Sequence, residues 1–209
     1  ENAMFRTVVA IVLTTTANST ATLAMDPSSG HGPLLLCTSL PLTGPSKQIG
    51  LSVSAGLETA ITEASLTSPG HLADLELIVR DDQYEPKLTA DNMMLFARRE
   101  NVVAVIGSVG TPTAIAAMPV AREHGMPMIG LVTGAEMLRA SPPDRLVINF
   151  RASYAQEIER AVSQLVAAGV KPEQIAFFTQ RDGYGDAGFS SGVNVLKRHG
   201  LEHVHRIAH

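Results

Sequence analysis

The stretch from Val102 to Glu123, VVAVIGSVGTPTAIAAMPVARE, joins a strand, a turn and a helix in 22 residues. Val102 to Ile106 is a β-branched apolar run of the kind buried on both faces of a parallel sheet. Gly107, Ser108, Val109 and Gly110 break it, and Thr111 and Pro112 then supply an expected N-cap and an expected first helical position. A strand, a glycine turn and a helix N-terminus in succession bring backbone N–H groups and the positive end of a helix dipole to the carboxyl edge of a sheet. Two readings stand. The turn is a carboxylate-sized anion site, or Thr111 and Pro112 only start a well-formed helix. The glycine spacing does not fit G-x-G-x-x-G and no Walker lysine follows, so a dinucleotide or nucleoside triphosphate is not the expected guest.

The flanking segments repeat the strand-then-helix order. Upstream, Leu34 to Ser39 reads as a strand, Gln48 to Ala64 as a helix with an apolar face through Leu51, Ala55, Leu57, Ala60 and Ile61, Leu75 to Arg80 as a strand, and Pro86 to Arg99 as a helix. Downstream, Met128 to Leu131 and Leu146 to Phe150 read as strands, with capping-box spacing between Thr133 and Glu136. A further unit is expected after Phe150: a helix from Ala155 to Ala168 closed by Gly169, a strand from Gln174 to Thr179, a loop from Gln180 to Gly188, a helix from Phe189 to His199 and a strand from His203 to Ile207. No hairpin signal interrupts this order. The predicted fold is therefore α/β, a doubly wound parallel sheet over residues 33–150 followed by part of a second, similar lobe over 151–209.

Composition narrows the partners. Among 209 residues, a net charge of −4 with no basic stripe argues against nucleic acid, and no apolar run is long enough to span a membrane. Residues 1–32 read differently from the rest. Glu1-Asn2-Ala3 before Met4 has the look of an expression remnant, and Arg6, the apolar Val8 to Leu13 and small residues to Ala24 follow the plan of a secretory leader. Export is thus expected. Cys37, the single cysteine, lies within an apolar strand pattern and reads as a buried thiol.

Several patterns could carry chemistry. Gly188-Phe189-Ser190-Ser191-Gly192 fits G-x-S-x-G, but a long loop is expected between Thr179 and Ser190, where a nucleophile elbow needs its serine directly after the strand. Ser190 is expected in the first turn of a helix. Asp81-Asp82 resembles the acidic pair of a phosphoacceptor, but no lysine follows a late strand, and an acidic loop capping the helix at Pro86 is the simpler account. His203 and His205 share a face of a presumed strand, and two histidines alone make a poor metal site. No catalytic residue, metal or cofactor is called for. A small α/β enzyme, through Ser190 or through Asp81 or Asp82, remains the alternative to a binding protein, as does a ligand-sensing receptor module.

Taken in order, Leu42-Thr43-Gly44-Pro45, Asp81-Asp82 with Pro86, Ile106-Gly107-Ser108 leading to Thr111, Thr133 with Glu136, and Asp182-Gly183-Tyr184-Gly185 resemble the type I periplasmic solute-binding proteins of branched-chain amino-acid ABC transporters. The resemblance covers about residues 34 to 209. It implies two α/β lobes joined by crossing strands, a small-molecule ligand (an amino acid or related carboxylate) enclosed between them, an ABC permease as partner and a periplasmic location. By the same resemblance Thr111, with Val109 and Gly110, holds the carboxylate. Leu131 and Thr133 take the ammonium, and Tyr184 covers the ligand. Thr133 could instead serve only as a cap, and Tyr184 only as a loop anchor. Ile49 stands where some members place a pocket aromatic, and Tyr84 and Gly110 stand where some have a disulfide. The chain is expected to end within the second lobe, so the acidic residue that completes ammonium binding in the family would lie past residue 209.

Overall fold

The computed structural model describes residues 33–67 and 75–209. Five parallel strands form the larger sheet in the order β2-β1-β3-β4-β5: β1 (Leu34–Leu40), β2 (Leu75–Asp81), β3 (Val102–Ile106), β4 (Met128–Ile129) and β5 (Val147–Ile148). The intervening helices are α1 (Lys47–Thr67), α2 (Pro86–Ala97) and α3 (Thr111–Glu123). A smaller two-stranded parallel sheet pairs β6 (Ala176–Thr179) with β7 (His205–Ala208), accompanied by α4 (Tyr154–Ala167) and α5 (Gly183–Arg198). The doubly wound α/β expectation thus holds, and the leader expectation falls on residues outside those described.

Chain order reverses between β1 and β3, so the carboxyl ends of these neighbouring strands form the switch-point crevice of an open α/β sheet. The larger core lies under the same strands. Cys37, Met93, Phe96, Val105, Met118 and Met128 are buried together there. Burial keeps the Cys37 thiol protonated by pushing its pKa up to about 11, while Arg99 pulls weakly the other way. A second core gathers Val162, Ile175, Val195 and Leu196 beneath the smaller sheet.

Several local expectations are corrected. Helix α1 buries Gly50 and Ser54, while Leu51, Ala55 and Ala60 are exposed, so its inner face is rotated from the predicted one. Gly50 faces the Pro41 carbonyl so closely that no Cβ would fit. Strands β4 and β5 are shorter than predicted. The predicted loop from Gln180 to Gly188 is largely helix, because α5 begins at Gly183. Asp182 caps it by accepting hydrogen bonds from Tyr184 N at 2.9 Å and Gly185 N at 3.0 Å. Gly185, one of the glycines that suggested a loop, is there for clearance, since a side chain would strike the Gln180 backbone; further along the helix, one at Gly192 would strike the Phe177 ring. Ser190 consequently lies well inside α5 rather than in its first turn.

Candidate functional site

The turn after β3 is shaped by two glycines in left-handed backbone, Gly107 at φ 65° and Gly110 at φ 106°. Gly110, not Thr111, is the N-cap of α3, and Thr111 is its first helical residue. The reason is conformational. The chain enters the helix through a backbone angle that a residue with a Cβ avoids, and this frees the Thr111 hydroxyl from capping. That hydroxyl instead lies 2.7 Å from Thr133 Oγ1 and 3.3 Å from the Tyr154 hydroxyl, and Thr133 Oγ1 is 3.1 Å from the same phenol. Three hydroxyls at these distances can close a ring in which each donates once and accepts once. Thr111 is 2% exposed, Thr133 0% and Tyr154 8%.

Thr133 does not form the expected capping box with Glu136. Its oxygen accepts from Ala135 N at 3.3 Å, and the segment that follows is only a one-turn helix, Glu136–Leu138, with Ala135 at its cap. The capping box occurs instead at α4. There Ser153 Oγ accepts from Gln156 N at 3.2 Å, and Gln156 Oε1 accepts from Ser153 N at 2.9 Å. Tyr154, the first residue of α4, is held by its own N–H to the Gly134 carbonyl at 2.8 Å. Gly134 has no room for a side chain, since a Cβ would sit 2.9 Å from Tyr154 N.

The acidic pair holds a loop rather than a helix end. Asp81 Oδ1 accepts from the amides of Leu42, Thr43 and Gln83, and its Oδ2 accepts from the Thr43 hydroxyl at 2.6 Å. Asp82 is fully buried. Its Oδ1 accepts from Tyr84 N at 2.9 Å, and its Oδ2 accepts from the hydroxyls of Ser39 at 2.8 Å and Thr89 at 3.2 Å. Helix α2 is capped at Glu85 without any side-chain bond. The two carboxyls titrate in opposite directions. Burial pushes Asp82 up against its hydrogen bonds, whereas at Asp81 desolvation, the largest single influence, is outweighed by the combined hydrogen bonds from Thr43, Gln83 and Leu42, which hold it down. Together they fix Gln83 at φ 54° and Tyr84 at φ 67°, a backbone region that a bulky residue rarely occupies. The Tyr84 ring lies against Gly110, where a Cβ would come within 2.5 Å of Tyr84 Cε2.

These pieces border one cleft of about 440 Å³. Val109, Gly110 and Val132 form one wall, with Ser46 and Ile49 at its margin, and Arg151, Glu157, Gln180, Asp182 and Tyr184 form the other. Tyr154 joins them. Arg151 is ion-paired with Glu157, and its guanidinium lies 5.6 Å from the centre of the Tyr154 ring. Tyr154 and Tyr184 meet edge to face at 5.3 Å. Of the predicted site residues, Val109, Gly110 and Tyr184 line this cleft. Thr111 opens on a separate groove of about 330 Å³ that also includes Ile115, Gly183 and Ser190. Leu131 and Thr133 are buried behind the turn. Arg151, Tyr154 and Glu157 were missed; the Ser153-x-x-Gln156 spacing was the signal that would have set Tyr154 at a helix start beside the site.

The remaining chemical candidates are scattered. Ser190 lies within α5 rather than on a turn directly after a strand, and His203 lies outside β7. Among the described residues no group of three metal-ligating side chains occurs, and no helix is long and apolar enough to cross a membrane.

Residues 38–209 match the periplasmic binding protein family. A possible leucine/isoleucine/valine-binding protein from Rhodopirellula baltica is 41% identical with a TM-score of 0.80, covering 85% of this chain and 48% of its own. A substrate-binding periplasmic protein from Ralstonia solanacearum is 30% identical with a TM-score of 0.77, covering 84% and 49%. A solute-binding protein of an ABC transporter from R. palustris, solved with benzoate, shares the fold at 21% identity and a TM-score of 0.74, covering 85% and 48%. The chain spans about half the length of these structures. A comparison with curated protein sequences gives no match.

Proposed function

From the premise that this chain belongs to the periplasmic binding protein family, an extracytoplasmic solute-binding type, we propose that it captures a small amino acid or related carboxylate in the cleft between the turn after β3 and the start of α5. The observation that carries this is the cleft itself. A glycine turn and a helix N-terminus form one wall, and a second helix N-terminus with Tyr184 forms the other, so one solute would touch both. The lobes divide near residue 150, and closure of one on the other supplies the difference in contacts that a bound solute rewards. Delivery to an ABC permease follows from the family's place in transport. No chemical step is assigned to the chain.

Within this reading Val109 offers its backbone to the solute carboxylate, Gly110, whose N–H donates to the Val132 carbonyl, leaves the wall open beside it, and Tyr184 covers the solute. Thr111 and Thr133 act from behind by holding Tyr154, and Leu131 keeps Val132 in its place on the wall. Isothermal titration against a panel of amino acids and organic carboxylates tests the proposal. Saturable one-to-one binding at micromolar or better affinity is expected for at least one member. Absence of binding across the panel would overturn it.

A further inference from the structure

The chain contains three tyrosines and no tryptophan, and all three tyrosines line the one cleft. They are not equivalent. Tyr154 is buried, carries the Arg151 guanidinium over its ring and has its hydroxyl tied to Thr111 and Thr133. Tyr84 and Tyr184 belong to opposite walls. Tyr184 is 44% exposed, so part of its ring is open to a guest. Tyr84 is held into the cleft at a left-handed backbone angle by the buried Asp82.

The charges beside these rings are unevenly matched. Glu157 is paired with Arg151, but Asp182 makes no ion pair among the described residues, and its recorded hydrogen bonds come from two backbone amides of α5. Its field reaches Tyr84, contributing, after burial, to lifting that phenol's pKa to about 12. A closed ring among Thr111, Thr133 and Tyr154 keeps those three hydroxyl hydrogens within the ring, and Glu157 accepts from the Arg151 guanidinium. Ring faces and an unpaired carboxylate suit a cation that needs no hydrogen-bond acceptor.

We propose that Tyr84, Tyr184 and Asp182 form a subsite for a methylated ammonium group, so that the captured solute is a zwitterion with an N-methylated cationic end. This rests on the capture of a carboxylate-bearing solute in the same cleft, and it places the solute's cation toward Asp182 rather than behind the turn at Leu131 and Thr133. The carboxylate then faces Val109 and Gly110, and the methylated nitrogen lies among the rings.

The test uses two probes of nearly identical shape. Glycine betaine and 3,3-dimethylbutyrate share a carboxylate and a trimethylated centre and differ only in whether that centre is a cationic nitrogen or a neutral carbon. In calorimetric titration of the protein, betaine is expected to bind at least tenfold more tightly. Asp182→Asn, which preserves a good helix cap, should erase most of that preference, as should Tyr184→Leu, while binding of the neutral isostere changes little. Equal affinity for the two probes, or a preference untouched by both substitutions, would overturn the subsite. If neither probe binds while leucine or benzoate does, solute capture stands and the methylated-ammonium subsite is refuted. If none of the four binds, both proposals fall.

Discussion

The two sheets bury their strands differently. Strand β1 runs between β2 and β3 with Cys37, Thr38, Ser39 and Leu40 all fully buried, as a central strand covered on both faces must be. Strands β6 and β7 alternate, with Phe177 and Arg206 turned toward the helix layer and Phe178 and Ile207 turned outward, 71% and 63% exposed. Phe178 stacks on His209 at 4.8 Å, so the bare side retains only a small contact of its own. A strand covered on both faces answers to packing everywhere, while one covered on a single face answers to packing at every second residue.

The largest expected effect lies in the cores. Phe96→Ala should cost about 4 kcal/mol and Leu196→Ala about 3 kcal/mol in denaturant unfolding, since both side chains are fully buried and each leaves a cavity. A much smaller loss at Leu196 would mean that the core of the smaller sheet is looser than its burial implies.

Next is the buried acid that the larger sheet tolerates. Asp82→Ala should cost about 2 kcal/mol, because Ser39, Thr89 and the Tyr84 amide lose their common acceptor. Carbon-detected NMR titration should separate the adjacent carboxyls, Asp81 below the usual 3.8 and Asp82 above it. The signs differ accordingly. The Asp81 contribution to stability is present above its unfolded pKa and fades as pH falls through its folded value. The Asp82 contribution is present at low pH and fades as pH rises from the unfolded value through the raised folded one. Shifts of the same sign at both residues would contradict the placement of one acid outside and the other inside.

A smaller effect is expected where the two sheets' elements meet. Tyr154→Phe removes the hydroxyl shared by Thr111 and Thr133 and should cost about 1 kcal/mol in thermal or denaturant unfolding. The smallest is expected on the uncovered face. Phe178→Ser should change stability by less than about 0.5 kcal/mol, while Phe177 is braced by Phe189 at 6.0 Å and faces Gly192, so truncating it should cost several times more.

The sequence made the alternation of strand and helix legible because apolar β-branched runs and glycine turns act locally. Val102 to Ile106 and the start of α3 fall where that pattern placed them, within a residue at the cap. The Gly107 and Gly110 turn was legible for the same reason. The start of α5 was not, because Gly183, Gly185 and Gly188 read as loop by propensity, and the clearance of Gly185 for the Gln180 backbone is a tertiary fact. Nor were the partners of Thr111 and Thr133. Both hydroxyls had plausible local bonds, and a tyrosine from a third segment competed successfully for them. Asp81 and Asp82 illustrate the same limit: neighbours in the chain, they share the turn at Gln83 and Tyr84 but otherwise hold different partners, Leu42 and Thr43 for one and the buried hydroxyls of Ser39 and Thr89 for the other.

Amide chemical-shift mapping during titration with leucine, glycine betaine and benzoate tests solute capture most directly. For at least one of the three, the amides of Val109 and Gly110 and those of Asp182 and Tyr184 should shift together along one saturation curve, as a guest touching both walls requires. Shifts confined to the groove beside Ile115 and Ser190, or no saturable shift at either wall with any of the three, would contradict it.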